Sequence, residues 1–249
     1  MDNRNASIHT VMTAHAVSHR GCVRADNEDG VLSLTEQGLW AVADGMGGHS
    51  LGALASQHIV EGLSQITFSA YCTMEQRLQH VAAQLLQISS ELVDKGAELG
   101  PRRIVGSTVV VLLVHHNMAG VLWSGDSRAY RLRTGALERL THDHTVAGQL
   151  VEAHGLSEMQ AARDPEASRL TQALGVPSFN AEHRRSDVVK GDRFVLCTDG
   201  LTRCVPEPAM TQILQTYACT QACADALLTL ALNAGAPDNV SVVVVDAAS

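Results

Sequence analysis

The chain has 249 residues, enough for one large domain or two small ones, and no linker-like stretch divides it. Its formal net charge of -8 excludes the basic stripe of a nucleic-acid binder. Hydrophobic residues make up 45% but aromatics only 3%, so the core must be built from Val, Leu, Ile and Ala.

The polar start Met1-Asp2-Asn3-Arg4-Asn5 leads into no signal-like apolar stretch. The longest strongly apolar run, residues 109–114, is far too short to span a bilayer. These features predict one domain over 1–249, cytoplasmic and monomeric, with residues 1–10 outside the ordered fold. Six cysteines (Cys22, Cys72, Cys197, Cys204, Cys219, Cys223) form no CxxC pair. They are expected as reduced, mostly buried thiols.

Val- and Leu-rich runs bounded by Gly, Asp or Asn predict strands over 11–18, 31–34, 39–43, 107–115, 119–123, 129–133, 136–140, 187–189, 193–198 and 239–245. Thr134-Gly135 reads as a tight hairpin, and Asn117-Met118-Ala119-Gly120 as another turn. Such short connections imply antiparallel pairing. A helix is predicted over 51–68, directly after a glycine-rich turn. Met74, Leu78, Val81, Leu85, Ile88 and Leu92 recur at alternating steps of four and three, one apolar stripe on a second helix. A late helical pair covers 210–217 and 221–233. Residues 145–172 read as an irregular, partly helical insertion. The class is therefore α+β: two stacked, mainly antiparallel sheets flanked by helices. The near-continuous apolar run Val240 to Val245 fits a strand buried on both faces.

Acidic residues sit at the ends of these runs. They occur in Asn27-Glu28-Asp29-Gly30, Asp44-Gly45-Met46-Gly47-Gly48, Gly125-Asp126-Ser127, Thr198-Asp199-Gly200 and Pro237-Asp238-Asn239. One such acid is ordinary turn chemistry. Five such sites are harder to dismiss, because in an antiparallel sheet one strand's end lies beside its neighbour's start. Carboxylates gathered on one rim repel unless a hard cation sits among them. That points to Mg²⁺ or Mn²⁺ and to chemistry on phosphate. Arg24, four residues before Glu28, carries a planar fork suited to two phosphate oxygens.

Seven motifs in order then carry a resemblance: Arg24 to Asp29, Ala43 to His49, Gly106-Ser107-Thr108, Gly125 to Arg128, Leu170 to Gly175, Thr198 to Leu201 and Pro237 to Val240. Together they resemble the metal-dependent protein phosphatase family, type 2C, in its compact bacterial form. The resemblance runs over about residues 14–246. It implies an α-β-β-α sandwich and a serine/threonine phosphatase with two Mn²⁺ or Mg²⁺ ions and a third-metal position. Asp44 would bridge two metals, Asp199 and Asp238 would hold one, and the Gly45 carbonyl would help hold the other. Glu28 and Asp29 would act mainly through metal-bound waters. Asp126, with Asp199, matches the third position, and Arg24 the phosphate-binding arginine. The insertion 145–172 takes the place of the family's flap. The implied mechanism is direct hydrolysis by hydroxide held between the metals, without a phosphoenzyme. Met46 stands where eukaryotic members carry a proposed acid histidine. His49, three residues on, and a metal-bound water are the two candidates for that proton. The implied partners are a phosphoprotein substrate and the Ser/Thr kinase it opposes.

Other motifs are absent. Ser50 replaces the third glycine of a dinucleotide loop, no GxxxxGK[ST] loop exists, and Gly125 to Ala129 lacks the second glycine of a nucleophile elbow. His115-His116 and His142-x-His144 occur without HExxH, against zinc hydrolysis. The competing class is a non-catalytic module of the same fold that binds a phosphoprotein or kinase.

Overall fold

Side chains alternate sides along a strand, and in this chain both sides are frequently apolar. The computed structural model describes residues 11–47, 51–100, 103–177 and 179–248. Its strands are β1 (Val11–His19), β2 (Asp29–Leu34), β3 (Leu39–Met46), β4 (Gly106–Ser107), β5 (Val109–His115), β6 (Met118–Ser124), β7 (Arg128–Arg133), β8 (Ala136–Arg139), β9 (Glu182–Asp187), β10 (Arg193–Cys197) and β11 (Val240–Ala248). Its helices are α1 (Leu51–Ser64), α2 (Met74–Leu99), α3 (Val146–His154), α4 (Glu158–Ala161), α5 (Asp199–Thr202), α6 (Glu207–Thr216) and α7 (Thr220–Asn233).

Two sheets result, one ordered β1-β11-β10-β7-β8 and the other β2-β3-β5-β6-β9, with β4 added to β3. Every named pair is antiparallel. The period-two alternation sorts the core into three layers. In β3, Leu39, Ala41 and Ala43 face α1 and α2, while Trp40 and Val42 face the other sheet. In β11, Val243 and Val245 face the seam between sheets, while Val240, Val242 and Val244 face α6 and α7. The α-β-β-α sandwich is thus observed, and the continuous valine run is explained by burial on both faces.

Local signals hold where chemistry fixes them. Thr73 caps α2 in a reciprocal box with Gln76. Thr134 and Gly135 both take positive φ, 49° and 84°, as a tight hairpin turn requires.

Several expectations need correction. The strand expected at 187–189 is instead β9 at Glu182–Asp187. It is a polar edge strand without apolar alternation, recognisable only through its pairing with β6. The turn after β5 centres on His116 and Asn117, since Met118 already pairs with His115. The first helix stops at Ser64, short of 68. Asp44 lies inside β3, and Asp29 opens β2. Only Cys197 and Cys223 of the six cysteines are buried, and all six are free thiols. Residues 1–10, whose order the sequence addressed, lie outside the described residues.

The seam between the sheets fixes the distance between their rims. Leu112 is fully buried there. Leu112→Ala is expected to cost about 2–5 kcal/mol in urea unfolding; a loss below about 1 kcal/mol would show that the seam relaxes around the hole.

Candidate metal centre

The predicted acids converge on one rim of the sandwich. Asp29 and Asp44 are direct cross-strand partners on β2 and β3. Asp44 is fixed through its backbone: its N–H donates to Thr108 Oγ1 (3.2 Å), and its carbonyl accepts from Thr108 N (2.9 Å) and Ser107 Oγ (2.9 Å). Gly45 N donates to the Glu28 carbonyl at 3.2 Å. A Cβ at Gly45 would lie 2.0 Å from the Gly52 carbonyl oxygen, so only glycine lets α1 approach here.

The other sheet supplies the remaining acids. Asp199 follows β10 and opens α5, and Asp238 precedes β11. Asn239 gathers the loop before β2. Its Oδ1 accepts from Glu28 N (2.8 Å), and its Nδ2 donates to the carbonyls of Arg20 and Asp26 (2.9 Å each). Asp126 lies between β6 and β7, after Gly125 at φ 108°. Asp29 Oδ2 reaches across the seam to accept from Thr198 Oγ1 (2.9 Å) and Ser241 Oγ (2.7 Å).

The resulting cleft, of about 310 Å³, is lined by Arg24, Glu28, Asp44, Gly45, Asp126, Asp199, Arg203 and Asp238, with Ser168 and Leu170 from the insertion. Asp29 lies behind this lining. His49 falls outside the described residues. A larger cavity of about 640 Å³ holds Asp192 and Asp246. Both are already paired, with Arg133 and Arg193 respectively, so it lacks free charge for chemistry.

Electrostatics sets the rim apart. Burial pushes the Asp29 and Asp126 carboxyls up to about 7, and neighbouring acids add to the push. Asp44 is driven well above its usual range by burial and then by the charges of Asp29 and Asp199. Asp199 is also raised, chiefly by burial. Asp29 Oδ1 and Asp199 Oδ1 are buried without a hydrogen-bond partner. Orphaned carboxylate oxygens, oxygen-only donors and crowded negative charge fit a hard divalent cation. Two arginines partly offset that charge. Arg24 forks onto Asp238 (2.9 Å to each oxygen), and Arg203 pairs with Asp199 and with Asp238 (3.4 Å).

The sequence profile described as Protein phosphatase 2C matches residues 16–233. The chain belongs to the protein phosphatase 2C family. It is 33% identical over 245 residues to the serine/threonine protein phosphatase PstP of Mycobacterium tuberculosis, covering 97% of this chain and 46% of that protein. The chain therefore spans about half the length of that relative. It is 31% identical to the serine/threonine phosphatase stp of Listeria monocytogenes, covering 94% of this chain and 96% of stp. Among solved structures, PppA, a regulatory component of T6SS in Pseudomonas aeruginosa, superposes with TM-score 0.88 at 34% identity, covering 96% and 99% of the two chains. The catalytic domain of PstP in complex with two manganese ions superposes with TM-score 0.80 at 33% identity, covering 96% and 99%.

Sequence reasoning missed Arg203 and the roles of Asn239, Thr198 and Ser241. Arg203 had a readable signal, since it stands four residues after Asp199 at helical spacing. The others act through contacts between residues more than forty positions apart, which no local pattern reveals.

A carboxyl whose pKa is raised by folding holds a proton that the unfolded chain has already lost. Stability therefore falls as pH rises from about 4 to 7. In EDTA, the unfolding temperature is expected to drop across that window. Mn²⁺ held at about 100 times its Kd at pH 7 is expected to add about 2.7 kcal/mol there and, at that same concentration, more at pH 8 than at pH 5, where protons compete for the oxygens. An EDTA curve flat in pH, or a larger Mn²⁺ shift at pH 5 than at pH 8, would contradict the electrostatic account.

Proposed function

We propose that this chain is a protein-serine/threonine phosphatase that hydrolyses phosphoserine and phosphothreonine with two Mn²⁺ or Mg²⁺ ions, and a third position beside them. The observation that carries the reading is the buried carboxylate rim with its orphaned oxygens, opening on a cleft with two arginines. Family membership supports it. A purely phosphoprotein-binding module would have no use for so many desolvated acids.

The residues divide the work. Asp44, central to the cleft, would serve both ions. Asp199 and Asp238 would hold one of them, and the Gly45 carbonyl would contribute to the other. Glu28 and Asp29 would act through water, and Asp126 with Asp199 would form the third position. When bound, such cations lower the pKa of water and offset charge on the phosphate. Arg24 forks onto both oxygens of Asp238. An Asp238 engaged as a ligand would free that fork for two phosphate oxygens. Arg203, on the same rim, restrains Asp199 in like manner.

The leaving alkoxide needs a proton. Among the described residues no histidine lines the cleft. His49 is the candidate from sequence, and water is the other. If His49 is the acid, His49→Ala lowers kcat by roughly 10²–10⁴ with little change in KM. An unchanged kcat assigns the proton to water.

The substrate is a phosphoprotein, and by the family's logic the chain opposes a bacterial Ser/Thr kinase as a cytoplasmic monomer. No helix among the described residues is long and apolar enough to cross a membrane.

Hydrolysis of p-nitrophenyl phosphate and of a phosphothreonine peptide is expected with Mn²⁺, to vanish with EDTA, and to fall by orders of magnitude in Asp44→Asn and Asp199→Asn while both remain folded. A folded wild-type protein inactive with every divalent cation would transfer the proposal to the phosphoprotein-binding module.

A further inference from the structure

A second cluster of ligating side chains lies outside the cleft. His142 and His144 stand two apart on the segment between β8 and α3, so their rings share a face. Glu182 opens β9 opposite Trp123 of β6. The ligating atoms of His142, His144 and Glu182 all lie within 4.8 Å of one another. Glu182 spans the pair, with Oε2 3.2 Å from His142 Nε2 and Oε1 3.1 Å from His144 Nε2. Glu152 of α3 comes within 3.4 Å of His142 Nε2. Trp123 packs beside both rings, 5.1 Å and 6.1 Å between centroids, and its Nε1–H holds the His142 carbonyl at 3.0 Å. A cavity of about 250 Å³ opens on His142 and Glu152 and gives a route in.

The donor set differs in kind from the acid rim. Two imidazoles and a carboxylate suit zinc and its borderline neighbours rather than Mg²⁺ or Mn²⁺. Bonds of about 2.0–2.1 Å in a tetrahedron give ligand separations of about 3.3 Å, close to the two distances Glu182 already makes. Glu152 or water completes the fourth position.

His144 also touches the phosphatase machinery. Its backbone N–H donates to the Gly125 carbonyl at 2.9 Å, and its Nδ1 accepts from the Gly125 N–H at 3.2 Å. His144 thus holds both sides of Gly125, the N–H through its ring and the carbonyl through its own backbone, directly ahead of Asp126. Burial lowers the pKa of this ring, favouring its neutral form. With Nδ1 accepting, the single proton of the neutral ring sits on Nε2, aimed at Glu182. Ligation through Nε2 moves that proton, by solvent exchange, to Nδ1. There it faces the Gly125 N–H, donor against donor.

We propose that His142, His144 and Glu182 form a second cation site, selective for a zinc-like ion, whose occupation loosens Gly125 and so disturbs Asp126. Binding is a property of the cluster alone. The effect on turnover rests on the phosphatase reading above.

Co²⁺ is the probe, because four-coordinate Co²⁺ absorbs strongly in the visible and octahedral Co²⁺ weakly. Stripped full-length protein is titrated with Co²⁺ as wild type, Asp44→Asn, His142→Ala and Glu182→Gln. His142 and Glu182 are only half-buried, which spares folding. The strong band is expected in wild type and Asp44→Asn at one ion per chain and to be displaced by Zn²⁺. It is expected to weaken in affinity roughly tenfold or more in the other two variants. No strong band, or one that Asp44→Asn removes and His142→Ala keeps, overturns the site. In the second arm, Zn²⁺ is added to enzyme running on excess Mn²⁺. Inhibition that His142→Ala relieves supports the link to Asp126. Equal inhibition of both proteins places the effect in the acid rim and overturns the link. An inactive enzyme would fail the phosphatase reading while leaving the spectroscopic result intact.

Discussion

Like charges held close together out of water dominate this molecule. Asp29, Asp44, Asp126 and Asp199 are each pushed towards the neutral form, with burial as the largest cause. Desolvation penalises the ionised carboxylate, and each neighbour's charge adds to the penalty. The chain answers this penalty in two ways. Folding favours the protonated carboxyls, and Arg24 and Arg203 pair with Asp238 and Asp199. Both answers are replaceable, which is what a binding site requires. A proton or an arginine leaves when a divalent ion offers the oxygens a stronger partner.

The architecture exists to hold this unfavourable arrangement still. Two sheets locked through a dry seam of Val, Leu and Trp keep their rims at a fixed separation. The ties across the rim are polar and long-range: Asp29 to Thr198 and Ser241, Glu28 to Asn239, Asp44 to Ser107 and Thr108. Close backbone approach does the rest. A Cβ on Gly21 would lie 2.0 Å from the Asp238 carbonyl oxygen, and one on Gly200 would lie 1.9 Å from that of Asn239. The stability lost in crowding carboxylates is offset by apolar burial on three layers, far from the site itself.

Much of this was legible in sequence, for physical reasons. The strands read clearly where period-two burial operates, and β11 read as doubly buried because its valines fill two cores. The α2 stripe from Met74 to Leu92 read as a helix because steps of three and four return to one face. The acids stood out because turn residues bracket them. What escaped was set by pairing rather than by local pattern. β9, with Glu182-His183-Arg184-Arg185, has no apolar period and is a strand only because β6 offers it an edge. Its Arg184 and Arg185 are exposed, yet each is held by an acid distant in sequence, Glu138 and Glu75. The cysteines are expected inside by residue-type habit, and Cys22 in a turn and Cys219 at the start of α7 are exposed instead.

His142 and His144 show the same limit at a site. In sequence they are two histidines without a zinc signature. Their partners are Glu182 of β9, dozens of residues on, and Glu152 of α3, brought back by the fold. The segment that bears them is anchored twice to the loop of Asp126, once by His144 on Gly125 and once by the Arg128 fork on Asp143 (2.9 and 2.6 Å). Thr145 then caps α3, so the insertion over the cleft starts from this anchor. The insertion is therefore joined to the loop of Asp126 by two short hydrogen-bonded links. Nitrogen donors stand at one end of those links and oxygen donors at the other, so the two clusters favour borderline and hard cations respectively.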